Sequence, residues 1–104
     1  MFTINNEEWG VKIVAPSHPK LIRSDGTFSI GSCDDKTKTI YIDETLEPYL
    51  MKKVLCHEIT HAAMFSYNVE LSLDQEELLA NLIATYGQEI IAITNKIFKR
   101  ILEK

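Results

Sequence analysis

Two histidines and a glutamate lie within five consecutive residues, His57-Glu58-Ile59-Thr60-His61. In an α-helix, residues four positions apart lie one above the other on the same face. Both imidazoles of such a pair can reach one metal ion without distorting the backbone. Zinc suits them, because it prefers tetrahedral ligands and binds neutral imidazole nitrogen at about 2.0–2.1 Å. The spacing therefore predicts His57 and His61 as zinc ligands.

Glu58 follows His57 directly, which places it about 100° further round the helix. It can lie beside the metal ion without binding it. That position suits a general base that takes a proton from water. We therefore predict Glu58 as the catalytic residue.

Two histidines do not complete a catalytic zinc site, which usually has three protein ligands and one position open for water. Glu77 lies sixteen residues after His61, and only six residues, 68–73, separate the two predicted helices. The second helix can therefore fold back and bring its first turn to the histidines. We predict Glu77 as the third ligand, with Glu76 on a neighbouring face as the alternative. Asn81, one turn after Glu77, is predicted to hold a histidine's other N–H and fix its tautomer.

The first part of the chain, to about residue 43, has the alternating and β-branched pattern of short strands. The strands are predicted at residues 9–14, 27–33 and 39–42, with residues 20–23 as a further candidate, separated by proline, glycine and aspartate turn signals. The last two are expected to pair as a hairpin. This half of the chain is predicted to form a small antiparallel sheet.

Apolar residues at spacings of three and four predict an active-site helix from about residue 46 to 67 and a long C-terminal helix from about 72 to 102. Ser72 and Gln75 fit a capping box at the start of the second helix. The fold class is therefore α+β, with the sheet followed by two helices. Residues 1–104 are predicted to form a single domain.

The composition is that of a globular domain, with 45% hydrophobic and 25% charged residues among 104. The net charge of −4 disfavours a nucleic-acid partner, since nucleic-acid-binding domains are normally basic. No apolar run approaches the roughly 18 residues of a membrane span, and the N-terminus lacks the pattern of a signal peptide. We therefore expect no membrane partner and a cytoplasmic location, where Cys33 and Cys56 stay reduced.

Residues 54–62, Val-Leu-Cys-His-Glu-Ile-Thr-His-Ala, followed by Glu-Leu-Leu-Ala-Asn at 77–81, resemble a gluzincin metallopeptidase. The sequence is most similar to the small phage and mobile-element peptidases of the ImmA/IrrE type and to the minigluzincins. Residues 31–34 and 39–42 also resemble the strand pair before the active-site helix in the phage members. The resemblance covers about residues 28–91. It departs from larger gluzincins at position 81, where those proteins often have aspartate.

The resemblance implies a zincin-like fold and a zinc metallo-endopeptidase. It implies that residues 27–33 form an edge strand that pairs with an extended substrate. It also implies a tyrosine or histidine that stabilises the tetrahedral intermediate. The candidates in this sequence are His18, Tyr41, Tyr67 and Tyr86.

Two functions remain open, beside a purely structural metal site or a chance motif in an interaction protein. The first is a zinc-dependent metallopeptidase that hydrolyses a protein or peptide, with Glu58 as general base. The alternative is a catalytically silent or latent zincin-fold domain that acts as a binding or regulatory module. The presence of Glu58 favours the enzyme, because a purely structural zinc site has no use for that carboxylate. The long C-terminal helix could also cover the cleft and inhibit the enzyme itself.

Overall fold

The computed structural model describes residues 1–103, and it confirms the α+β class. The two α-helices agree with the predicted ranges to within two residues. Between the second and third strands, where residues 20–23 were a candidate strand, the chain forms one turn of 3₁₀-helix, Pro19–Leu21. The strand predicted at residues 27–33 begins only at Gly31 and ends at Asp34. The elements in chain order are β1 (Phe2–Ile4), β2 (Glu7–Val14), β3 (Gly31–Asp34), β4 (Thr39–Asp43), α1 (Pro48–Ser66) and α2 (Leu73–Leu102).

The four strands form one sheet in the order β1-β2-β4-β3. The hairpin of β3 and β4 is confirmed, with Cys33 opposite Ile40. The expectation of an antiparallel sheet throughout is corrected, because β2 and β4 pair in parallel, with Val11 opposite Ile40. The chain returns after β2 through the 3₁₀ turn, so that β4 enters the sheet beside β2 and β3 lies at the edge. Strand alternation shows which residues share a face, but not the direction of the neighbouring strand.

The N-terminal strand β1 was absent from the sequence prediction. It pairs antiparallel with β2, with Phe2 opposite Trp9. Asn5 and Asn6 connect the strands with φ angles of 49° and 63°, the left-handed conformation that a two-residue hairpin turn needs and that asparagine tolerates. The Asn-Asn pair was therefore a usable signal, although a three-residue strand is too short to show periodicity.

Helix α1 packs across the sheet, and its C-terminal end is anchored by polar contacts. The indole N–H of Trp9 donates a hydrogen bond to Ser66 Oγ at 2.8 Å, and Asn5 Nδ2 donates to the Ser66 carbonyl oxygen at 2.9 Å. Both donors come from the β1–β2 hairpin, so this hairpin fixes the position of α1. The buried core between helix and sheet consists of Trp9, Ile40, Ile42, Val54 and Ala62.

The reversal between α1 and α2 is defined by helix-end signals that the sequence contains. Asn68 has a φ of 52°, and the Val69 amide donates to the Met64 carbonyl, as in a Schellman termination. Ser72 then caps α2, and the reciprocal bonds of the predicted capping box with Gln75 are present. The short connection places the first turn of α2 beside the middle of α1.

The edge strand β3 lies unusually close to α1 at Gly31. A Cβ atom at this position would lie 2.6 Å from Val54 Cγ1 and 3.1 Å from Glu58 Oε2. The Val54 side chain cannot easily move away, because β-branched side chains in helices have one preferred rotamer. Glycine at position 31 is therefore what allows the strand to approach Glu58.

We expect Gly31→Ala to destabilise the protein by about 1–3 kcal/mol, the usual cost of forcing extra volume into a packed contact. Denaturant unfolding should measure this loss. Gly10→Ala is the matched control, because a Cβ there would meet only Met1 Sδ, at 3.6 Å. The control should be neutral or slightly stabilising. Equal stability of Gly31→Ala and wild type would contradict the close approach.

Candidate metal centre

His57, His61 and Glu77 converge where α1 meets the first turn of α2. The Nε2 atoms of the two histidines are 3.1 Å apart. The Glu77 carboxylate lies 3.4 Å from His57 Nε2 through Oε2 and 2.8 Å from His61 Nε2 through Oε1. The structure thus brings Glu77, rather than Glu76, to the two Nε2 atoms.

Glu76 contacts the opposite side of the His61 ring. Its Oε1 lies 2.6 Å from His61 Nδ1, so that Nδ1–H donates to the Glu76 carboxylate. The neutral tautomer that makes this bond has a lone pair on Nε2, directed at the Glu77 carboxylate. Two acceptors then face each other at 2.8 Å, which is favourable only if a proton or a cation neutralises them.

The spacing of these atoms fits a tetrahedral metal ion. Bonds of about 2.0–2.1 Å to a tetrahedral centre place two ligand atoms roughly 3.3 Å apart. The distances between the three groups are 3.1, 3.4 and 2.8 Å, and the ligand atoms of the group all lie within 4.8 Å of one another. The group of His57, His61 and Glu77 could therefore bind a metal ion with little rearrangement.

The environment of His57 favours the neutral ring that metals require. Burial lowers its pKa below the usual value of 6.5, and the neighbouring His61 lowers it further. Glu77 and Asn81 oppose this shift. His57 is therefore predominantly neutral at pH 7, with a nitrogen lone pair available for a metal.

Glu58 is buried beside this group, with 8% of its surface exposed. Burial raises its pKa from 4.5 to about 7. The nearby His61 lowers the pKa and the Glu77 carboxylate raises it. A carboxyl with such a pKa can both accept and release a proton near neutral pH.

An open cleft of about 630 Å³ runs past these side chains. The edge strand and the residues before it form one wall, and α1 and α2 form the other. On α2 the lining extends only as far as Ala84, and residues 88–103 do not contribute to it. Self-inhibition by the last turns of α2 therefore stays a prediction. The lining residues are Arg23, Ser29, Ile30, Gly31, Ser32, Leu50, Lys53, Val54, His57, Glu58, His61, Leu73, Glu77, Asn81 and Ala84.

The structure separates the other candidate residues. Asn81 lines the cleft beside His57. Of the described residues, the cleft lining includes none of the four candidates for stabilising the tetrahedral intermediate. His18 instead accepts a hydrogen bond from the Lys20 amide and stacks on Tyr41, with ring centroids 5.3 Å apart. Its contacts in the structure are those of a loop-stabilising residue.

Cys33 does not belong to the group of metal-binding residues. It packs against the hydrophobic core, and burial raises the pKa of its thiol to about 12, with a further increase from the nearby Glu58. A neutral thiol is a poor metal ligand.

The sequence analysis missed two residues of the cleft, Lys53 and Arg23, and the role of a third residue, Glu76. Lys53 lies four positions before His57, on the same face of α1, so helical spacing alone could have placed it in the cleft. Arg23 arrives from the loop after the 3₁₀ turn, and no local pattern indicates its position. Glu76 was considered only as an alternative ligand, whereas the structure places it on His61 Nδ1.

An edge strand above a helix with a His-Glu-x-x-His motif, completed by a glutamate from a second helix, defines a zincin-like domain. The chain matches the peptidase family described as the IrrE N-terminal-like domain over residues 6–97. It belongs to this family, which confirms the resemblance to ImmA/IrrE-type peptidases. No curated protein and no solved structure gives a significant match. Within the described residues, neither helix carries an apolar stretch long enough to span a membrane.

The different positions of Glu76 and Glu77 predict different effects on metal binding. Glu77→Ala removes a ligand atom and should abolish stoichiometric zinc binding. Glu76→Ala should retain the site but weaken zinc affinity by about 10–100-fold, the usual effect of losing a partner that orients a ligating histidine. Titration against a chromophoric chelator would measure both affinities. Full affinity in Glu77→Ala together with loss in Glu76→Ala would reverse the assignment.

Because the site joins α1 to α2, metal binding should stabilise the fold. At a free metal concentration 100 times Kd, the gain is about 2.7 kcal/mol. Each 1 kcal/mol raises the Tm of a domain of this size by about 4–8 °C. We expect a chelator to lower the Tm accordingly and added zinc to restore it. His61→Ala is the control, since its Tm should respond neither to the chelator nor to added zinc. An unchanged Tm after metal removal from wild type would contradict a metal site that joins α1 to α2.

Proposed function

We propose that this protein is a zinc metallo-endopeptidase of the gluzincin type that cleaves a protein or peptide substrate. The observation that carries this proposal is the spacing of the His57, His61 and Glu77 ligand atoms, 2.8–3.4 Å from one another. It matches a tetrahedral centre, and a buried carboxyl that is not part of the group lies beside it. Membership of a peptidase family supports the same function.

In this proposal His57, His61 and Glu77 hold the zinc ion. When bound, zinc supplies Lewis-acid chemistry, because it polarises the scissile carbonyl and makes water more acidic. Glu76 orients His61 through its Nδ1–H, and Asn81 orients His57. The donor set of two imidazoles and one carboxylate is that of a catalytic zinc site with an open position, as distinct from the closed sites of structural zinc.

Glu58 performs the proton transfers. Its carboxylate accepts a proton from the attacking water as the carbon–oxygen bond forms. It then delivers that proton to the nitrogen of the scissile bond, which leaves as an amine. Both transfers are supported by a pKa that burial raises to about 7, and a cation at the neighbouring group would favour the carboxylate form before the reaction.

The position of β3 supports an extended peptide as substrate. One side of β3 pairs with β4, and the other is the edge of the sheet. Ile30, Gly31 and Ser32 line the cleft at this edge. A peptide that pairs with the edge strand would place a backbone carbonyl beside Glu58 and the group of metal-binding candidates, since Gly31 lies directly against Glu58.

A cytoplasmic location belongs to the same proposal. Its support is that Cys33 and Cys56 are both free thiols in the fold, as is usual in a reducing compartment.

Glu58→Gln tests the enzymatic function. The variant should keep its zinc and its Tm, because residue 58 is not a ligand and the side chains are nearly isosteric. It should lose activity by about 10²–10⁴-fold, since the amide cannot accept the proton from water. Mass spectrometry of a panel of denatured proteins would detect the products. Glu70→Gln, an exposed position outside the cleft, is the matched control and should remain active.

Equal cleavage by wild type and Glu58→Gln would contradict the role of Glu58. Absence of cleavage by zinc-loaded wild type would instead favour the alternative, a catalytically silent or latent zincin-fold domain.

A further inference from the structure

The second half of α2 extends beyond the rest of the molecule. Ala80 is the one buried residue among the described residues of this 30-residue helix. From Gln88 to Glu103 every side chain is exposed. At about 1.5 Å per residue, this segment projects roughly 24 Å as an isolated helix.

One face of the projecting segment is apolar. Ile90, Ile93, Ile97 and Ile101 recur at spacings of three and four, which places them in one stripe along the helix. Each of these side chains is 50–56% exposed. We call this stripe, widened on one side by Ile91, Phe98 and Leu102, the C-terminal apolar face.

Such a segment is poorly stabilised on its own. Helices of this length are marginal in water, and most gain their stability by packing an apolar face. The stripe is made of isoleucine, whose helix propensity is lower than that of leucine or alanine. A contiguous exposed apolar patch of this size on a small domain indicates an interaction surface.

We propose that the C-terminal apolar face pairs with the same face of a second copy of this chain, with the two helices antiparallel. The charges beside the stripe support this partner. Glu89 and Arg100 are eleven residues apart, which corresponds to nearly whole helical turns, so both lie on the same flank of the stripe. Neither has an ion-pair partner among the described residues. Antiparallel pairing places Glu89 of each subunit beside Arg100 of the other.

The apolar positions are centred within one residue of the midpoint of the charges. The midpoint between Glu89 and Arg100 falls between residues 94 and 95. The midpoint of Ile93 and Ile97 is residue 95, and that of Ile90 and Ile101 lies between residues 95 and 96, so both are within one residue of this point. A two-fold axis there would pack like against like, as an isologous dimer requires. Seven half-exposed apolar side chains per subunit present several hundred Å², which is on the order of the area each partner of a standard interface buries.

A membrane surface is a poorer match for this helix. Amphipathic helices that bind anionic lipids carry a strongly basic polar face. In this segment Glu89 and Glu103 offset two of the three cations, which are Lys96, Lys99 and Arg100. Pairing beyond residue 88 also leaves the cleft free, because the cleft lining on α2 ends at Ala84.

The experiment measures the mass of the full-length protein in solution by light scattering and sedimentation equilibrium. Wild type should have twice the chain mass of 11.9 kDa at micromolar concentration, and Ile97→Asp should be monomeric. Glu89→Arg or Arg100→Glu should each raise the dimer Kd about tenfold or more, because two symmetric attractions become repulsions. A mixture of these two charge variants should form a heterodimer, and the double variant should regain wild-type affinity.

Lys99→Glu is the matched control, because it has the same charge change as Arg100→Glu but lies on the outward face of the helix. It should dimerise like wild type, and circular dichroism should show that every variant is folded. A monomeric wild type would overturn the proposal, whether or not it bound vesicles of anionic phospholipid. So would a dimer unaffected by Ile97→Asp, or a charge swap in the double variant that failed to restore affinity.

Discussion

Three electron-pair donors are held within contact distance of one another at the junction of the two helices, and much of the fold serves to keep them there. His57 Nε2, His61 Nε2 and the Glu77 carboxylate lie 2.8–3.4 Å apart, where their lone pairs repel unless a proton or a cation lies among them. Hydrogen bonds elsewhere in the fold must offset this unfavourable electrostatic arrangement. The Trp9–Ser66 hydrogen bond fixes α1 on the sheet, and the helix-end bonds at Asn68 and Ser72 fix α2 against α1.

Two adjacent glutamates divide the work of binding one histidine. Consecutive helical residues point about 100° apart, so Glu77 can reach His61 Nε2 while Glu76 reaches Nδ1 of the same ring. The ring is thereby held from both sides, with one nitrogen protonated and the other available to a metal.

Local pattern was sufficient for the residues whose positions depend on one helix or one turn. The His57–His61 spacing, the capping box at Ser72 and the termination at Asn68 all follow from short-range geometry, and the six-residue connection predicted the return of Glu77. Contacts that depend on strand order could not be predicted from local sequence pattern. The parallel pairing of β2 with β4 and the arrival of Arg23 in the cleft are determined by how distant segments pack. The contact of Glu76 with His61 Nδ1 depended on side-chain directions within one turn of α2.

Helix α2 combines two surfaces that share one periodicity. In the first half of α2 the inward face carries Glu76, Ala80 and Ile83. The same face continues beyond the N-terminal end of α1, through Ile90, Ile97 and Ile101. A helix that needed only to deliver Glu77 could stop near Ala84, where its contribution to the cleft stops. The continued apolar pattern therefore requires a second explanation, and burial against another surface is the one that hydrophobic patterning supplies. Because the helix is continuous, whatever orders its second half also limits fraying of the turns that carry the metal-binding glutamate.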